Sequence, residues 1–299
     1  MKDNFKSGFA AIIGAPNVGK STLLNAIVGQ KIAIISDKPQ TTRNKILAVH
    51  TTDTEQIIFT DTPGIHKPHN RLGEYMVNAA TTTMRDTDII ILVLDASRKL
   101  SENDKRIAED ALSQDLDCIL VINKVDIVDK EKLLPIIAEY SSLGDFAEVI
   151  PISAKRNDGV KILLDAISKY LPEGPMMYDE DAITDQPERQ IAAEIIREKL
   201  LWLLDKEIPH GIAIEIEKVE EKDTITNINA VIYCEKASHK GIVIGKSGAM
   251  LKKVGELARK DIERMLDKKV YLELWVKVKA DWRNNNYLLR NFGFDENDD

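Results

Sequence analysis

Cysteine, aromatic side chains and long apolar runs are what this chain of 299 residues has least of. Its two cysteines, Cys118 and Cys234, lie in different halves, each inside an apolar, strand-like run. They read as small core residues, which excludes a disulfide framework or a cysteine metal site. No apolar run approaches the ~18 residues of a membrane span. The longest, Ile89 to Leu94, has the length of a buried strand. The polar start, Met1 to Ser7, lacks the apolar segment of a secretory signal, so a cytoplasmic location is expected. Aromatics make up only 5% and show no RNA-stacking pattern, and the five histidines show no ligand spacing. His66 and His69 are expected to face solvent.

The formal net charge of −8 argues against a polyanion partner until it is divided along the chain. Residues 171–188 hold six acidic groups and no basic one, whereas 236–260 hold seven basic groups against Glu256 alone. The average conceals a basic patch.

Around one stretch the rest is arranged. Gly14, Ala15, Pro16, Asn17, Val18, Gly19, Lys20 and Ser21 satisfy G-x-x-x-x-G-K-[ST], between an apolar run and a helical one. In that context the glycine-rich turn aims helix N–H groups at an anion. Lys20 is expected to reach β/γ-phosphates and Ser21 to ligate Mg²⁺. A second apolar run ends in Asp61, Thr62, Pro63 and Gly64. A carboxylate there suits a Mg²⁺ link, and Gly64 leaves an N–H for a γ-phosphate. Asn123, Lys124 and Asp126 follow a third such run. A carboxylate at Asp126 can accept from both N1–H and the exocyclic amine of guanine, a pair adenine lacks. Ser153, Ala154 and Lys155 supply a backbone contact to the base edge.

In this order the motifs resemble those of translation-factor-class GTPases. The resemblance implies an effector segment between the first two, filled by Gln40-Thr41-Thr42-Arg43-Asn44. Thr42 would close on Mg²⁺ with Ser21 and Asp61, with Thr41 the competing assignment. Where Ras-type enzymes carry the water-orienting Gln stands Ile65, so slow intrinsic hydrolysis is expected. In related GTPases an Asn at the place of Asn17 helps hold K⁺, which implies K⁺-assisted turnover.

Strand and helix signals alternate through residue 170, as a doubly wound sheet requires, with the second and third strands a hairpin. Residues 171–188 are expected to be an acidic linker. Residues 189–285 then run helix–strand–strand–helix–helix–strand, and 286–299 form an acidic tail expected to fray. Gly245-Lys246-Ser247-Gly248 is not a second phosphate loop, because position 240 is Lys. A GXXG between helices, with Ile244 and Gly241 ahead and Lys240, Lys246, Lys252 and Lys253 around it, resembles the backbone-clamping loop of a type II KH domain.

A GTPase domain over 1–170 followed by such a KH domain resembles the bacterial Era family along essentially the whole chain. The resemblance implies an α/β P-loop GTPase joined to an α+β KH module. It implies a monomeric switch that binds GTP, GDP and 16S ribosomal RNA in 30S subunit assembly, with peripheral contact to the inner membrane. Other classes fit less well. A small-molecule kinase has no use for Asn123 and Asp126. A GTPase of tRNA modification or metal transport needs further domains or spans. A KH-like module docking a protein or a membrane remains the alternative.

Overall fold

The computed structural model describes residues 5–36, 38, 41–63, 70–205 and 208–294, with only the backbone given for 80, 81 and 83–85. Gln40, Gly64, Ile65, His66, His69 and the terminal 295–299 lie outside the described residues. The chain divides into two compact units. Unit 1 holds residues up to 33, 42–67 and 76–185; unit 2 holds 34–41, 68–75 and 186 onward.

Unit 1 is a six-stranded sheet in the order β2-β3-β1-β4-β5-β6. Its strands are β1 (Lys6–Ile13), β2 (Ile46–Thr51), β3 (Glu55–Asp61), β4 (Ile89–Asp95), β5 (Asp117–Asn123) and β6 (Glu148–Pro151). The expected hairpin is present: β2 pairs antiparallel with β3, whereas all other neighbours are parallel. β4 is buried along its whole length, as an inner parallel strand covered on both faces must be. The helices are α1 (Lys20–Val28), α2 (Arg71–Arg85), α3 (Glu102–Leu112), α4 (Lys130–Ser141) and α5 (Val160–Ile167). α1 is punctuated by Gly19 (φ 102°) and Gly29 (φ 70°). α3 begins at a reciprocal capping box between Ser101 and Asp104. Because β3 and β4 flank β1 on opposite sides, the order switches direction at β1, and such sheets open a crevice at that point.

The acidic stretch expected as a linker is bound to unit 1 as far as residue 185. Gln56 is fully buried and gives both ends of its carboxamide to this stretch. Nε2 donates to the Tyr178 carbonyl (2.9 Å), and Oε1 accepts from the N–H groups of Met177 and Tyr178. Val49 N–H donates to the Ile183 carbonyl (2.8 Å), so the strap occupies part of the edge of β2. An open edge strand is otherwise a template for unwanted pairing.

Unit 2 contains α6 (Glu188–Leu203), β7 (Ile212–Glu221), β8 (Ile225–Cys234), α7 (Ala237–Ile244), α8 (Ala249–Leu266), β9 (Lys269–Val278) and α9 (Asn286–Asn291). β8 is central, antiparallel to β7 and parallel to β9. Ile195, Ile196 and Leu200 of α6, Val254, Ala258 and Ile262 of α8 and the inner positions of β8 form one core. Of the segment expected as an acidic tail, residues 286–294 are described and packed, whereas the acidic run itself, 295–299, lies outside the described residues. Asn285 caps α9, accepting from Leu288 N–H (3.2 Å). Phe292 then packs on Tyr233 and on the fully buried Trp282, at 5.0 and 5.5 Å between ring centroids. Three aromatics outweigh the polar look of the segment.

Candidate nucleotide and RNA sites

The phosphate loop leaves β1 at Gly14 (φ 150°), where a Cβ would come within 2.5 Å of the Val93 carbonyl oxygen. It turns through Asn17 (φ 67°) and enters α1 at Gly19, where a Cβ would collide with the Asn123 carboxamide. Only glycine satisfies both the left-handed backbone and the close approach. Lys20 is buried and donates to the carbonyls of Gly14 (3.0 Å) and Ala15 (3.1 Å). Burial pushes its pKa down, and the nearby Asp61 carboxylate partly opposes this.

Ser21, Thr42 and Asp61 are brought together. Ser21 Oγ donates to Asp61 Oδ2 (2.7 Å) and lies 2.9 Å from Thr42 Oγ1. Thr41 is not part of the cluster: its hydroxyl donates to the Lys38 carbonyl (2.6 Å). Asp61 is fully buried, and its Oδ1 has no hydrogen-bond partner among the described residues. Burial raises its pKa, against the opposing pull of Lys20, Ser21 and Thr42. A buried, unpaired carboxylate oxygen beside two hydroxyls is a donor set that suits a hard divalent cation. Thr62 is also buried and donates to the Ile12 carbonyl (3.2 Å), while Pro63 is buried next to it.

The base-side motifs lie at the ends of β5 and β6. Asn123 joins them to the loop: Nδ2 donates to the Val18 carbonyl (2.9 Å), and Oδ1 accepts from Ala154 N–H (3.0 Å). Asp126 Oδ1 accepts from Ser153 Oγ (2.7 Å), which orients the carboxylate. Lys124 Nζ donates to the Asn17 carbonyl and to Asp95 Oδ2, both at 2.7 Å. Lys155 is exposed. Asp95 was missed by the motif reading, although a lone carboxylate ending an apolar strand was its available signal.

In unit 2, Gly245 (φ 73°) closes α7, and Ser247 (φ 51°) and Gly248 (φ 79°) lead into α8. A Cβ at Gly245 would lie 2.7 Å from the Met250 Cβ, whereas one at Gly248 would meet nothing within 4 Å. Gly245 is therefore required for packing, and Gly248 faces open space. Gly241, Lys246, Ser247, Lys252 and Lys253 are exposed, and Lys240 and Ile244 are half-buried. Ile242 presents 48% of its surface beside them.

Sequence reasoning also missed the charged trio of α6. Arg197, Glu198 and Lys199 interrupt an apolar pattern as a solvated stripe would, yet each is at most 2% exposed. Ile35 and Thr41 of the same unit lie on them. Glu198 Oε1 accepts from Ile35 N–H (2.9 Å), Trp202 Nε1 donates to the Ile35 carbonyl (2.9 Å), and Arg197 donates to the Thr41 carbonyl. Lys199 Nζ bridges Glu198 and Asp261, at 2.6 and 2.5 Å.

Comparison with known proteins finds relatives for each half and for the whole chain. Residues 9–124 match the family described as 50S ribosome-binding GTPase, and residues 207–283 match the KH domain family. The chain is 54% identical over 295 residues to the GTPase Era of Ruminiclostridium cellulolyticum, covering 98% of this chain and 99% of the relative. It is 52% identical over the same coverage to that of Clostridioides difficile. Among solved structures, Era in complex with MgGDPNP and nucleotides 1506–1542 of 16S ribosomal RNA superposes with a TM-score of 0.93 at 41% identity, covering 97% of this chain and 99% of that one. An Aquifex aeolicus Era variant bound to GDP and AlF₄⁻ gives the same values.

Proposed function

The chain belongs to the Era family of GTPases, and from that premise we propose that it is a GTP-driven switch that binds the 3′ region of 16S ribosomal RNA through its KH domain during 30S subunit assembly. The observation that carries the reading is that one chain joins its phosphate loop to Asn123, beside Asp126 and Ser153, and also carries a GXXG loop with exposed Lys246 and Ser247.

On the nucleotide side, the N–H groups of the loop and the Lys20 ammonium bind phosphates, and Asp126 selects guanine. Ser21, Thr42 and Asp61 would hold Mg²⁺, which when bound supplies charge neutralisation across the β- and γ-phosphates. Asn17 would contribute to a K⁺ site with the same effect. On the RNA side, Gly248 leaves room for a sugar–phosphate backbone, the N-terminus of α8 favours phosphate, and Ile242 and Ile244 offer an apolar wall to bases.

Coupling between the two functions is supported by the chain path. Thr42 bonds with the nucleotide residues of unit 1, while the carbonyl of its neighbour Thr41 is held by Arg197 of unit 2. A γ-phosphate that orders Thr42 therefore acts directly on the segment that α6 holds, an order–disorder switch.

Fluorescence anisotropy with a single-stranded 16S 3′-end oligonucleotide tests the reading. Wild type is expected to bind with a steep salt dependence, and Gly248→Asp to lose at least about 10-fold in affinity through charge and backbone strain. Equal binding by both proteins would overturn it. Anionic vesicles run in parallel separate RNA from lipid phosphate as the destination of the lysines.

A further inference from the structure

Asp95 ends β4 and is 6% exposed, and none of the nucleotide motifs includes it. All three of its oxygens have partners. Oδ2 accepts from Lys124 Nζ (2.7 Å), and Oδ1 accepts from Ser97 N–H (2.9 Å) and Ser97 Oγ (2.6 Å). Its carbonyl oxygen lies 3.0 Å from the Tyr140 hydroxyl, which is also 2.6 Å from the Arg98 carbonyl and shares its proton between them. The next residue, Ala96, donates its N–H to the Asn123 carbonyl (2.9 Å). The carboxylate is thus fixed from three sides, with the Lys124 ammonium in direct contact and the Arg98 guanidinium within its field.

That partner reaches the phosphate loop. Lys124 has a left-handed backbone (φ 68°), and its ammonium also donates to the carbonyl of Asn17, itself left-handed at φ 67°. A lysine stem is flexible and its ammonium strongly hydrated, so bridging one backbone carbonyl is a weak hold by itself. A buried carboxylate on the other side of the ammonium converts the weak hold into a directed one.

We infer that Asp95 is a positioning residue for nucleotide binding: it clamps the Lys124 ammonium onto the Asn17 carbonyl and so holds the phosphate loop in its nucleotide-accepting turn. Asp95 touches neither phosphate nor base. Its effect falls on how tightly nucleotide is held, and not on the rate of bond breaking once it is held.

The full-length protein carries the test, with fluorescent GDP and GTP for affinity and release and steady-state turnover for KM and kcat. Asp95→Asn is expected to speed GDP release and raise KM about 10-fold with kcat within about twofold, and Asp95→Glu to recover part of the affinity. In a Lys124→Ala background, Asp95→Asn is expected to add less than about twofold, because the two act as one unit. Ser97→Ala, which removes one brace and no charge, is expected to shift affinity about two- to threefold in the same direction and covers the case in which Asp95→Asn fails to fold. Multiplicative effects of Asp95→Asn and Lys124→Ala, a fall in kcat at unchanged KM, or unchanged nucleotide release in both the Asp95→Asn and Ser97→Ala proteins would overturn the assignment.

Discussion

Thr42 Oγ1 stands 2.9 Å from Ser21 Oγ, whereas the hydroxyl of the adjacent Thr41 donates to the carbonyls of Lys38 and Ser36. Two neighbouring threonines thus serve different partners. Thr42→Ala is expected to weaken Mg²⁺-dependent GTP binding at least about 10-fold while GDP affinity changes less than about threefold, since a γ-phosphate contact is lost. Thr41→Ala is expected to stay within about threefold for both nucleotides. Titrations with and without chelator read the difference.

Base choice rests on Asp126, which Ser153 orients at 2.7 Å. Asp126→Asn replaces an acceptor by a donor. It is expected to lose at least about 100-fold for GTP and to gain affinity for xanthosine triphosphate, whose C2 oxygen can accept where guanine donates. Competition binding with the two nucleotides checks the exchange.

Asp104 supplies a pH signature. Burial alone would raise its pKa, but the Arg98 fork (2.6 and 2.7 Å) together with the hydroxyl and N–H of Ser101 outweighs it and holds the carboxyl below its usual range. A depressed carboxylate contributes stability above the unfolded value of 3.8 and loses it as pH falls through the folded value. Asp104→Asn is therefore expected to be about 1–2 kcal/mol less stable at neutral pH, discounted for the partly exposed guanidinium, with the gap closing as pH falls below 3.8. Urea midpoints across that range measure it.

Turnover in K⁺ and Na⁺ buffers tests the role proposed for Asn17. Faster hydrolysis in K⁺, lost in Asn17→Ala, is expected; equal rates in the two salts would remove potassium from the account.

Most of the nucleotide site was legible because its chemistry is written in consecutive residues at strand ends. Gly14 and Gly19 announce positive φ and close approach, and the apolar runs before Asp61 and Asn123 announce parallel strands. The KH order was legible for the same reason: strand and helix periods alternate cleanly from Ile212 to Val278. What was not legible depends on contacts distant in sequence. Arg197, Glu198 and Lys199 look like a solvated face until Ile35 and Asp261 are brought against them. The acidic strap looks like a free linker until Gln56 satisfies its backbone. Asp95 belongs to none of the motifs, and its carboxylate at the end of an apolar strand gains meaning once Lys124 Nζ is found 2.7 Å away.

The central claim is that nucleotide state governs the RNA-binding module. Footprinting of a 16S 3′-end RNA by the full-length protein, with GTP, with GDP and without nucleotide, tests it most directly. The account predicts protection of a single-stranded segment that is strong with GTP, weak with GDP and abolished by Gly248→Asp. Protection equal in all three states would contradict it.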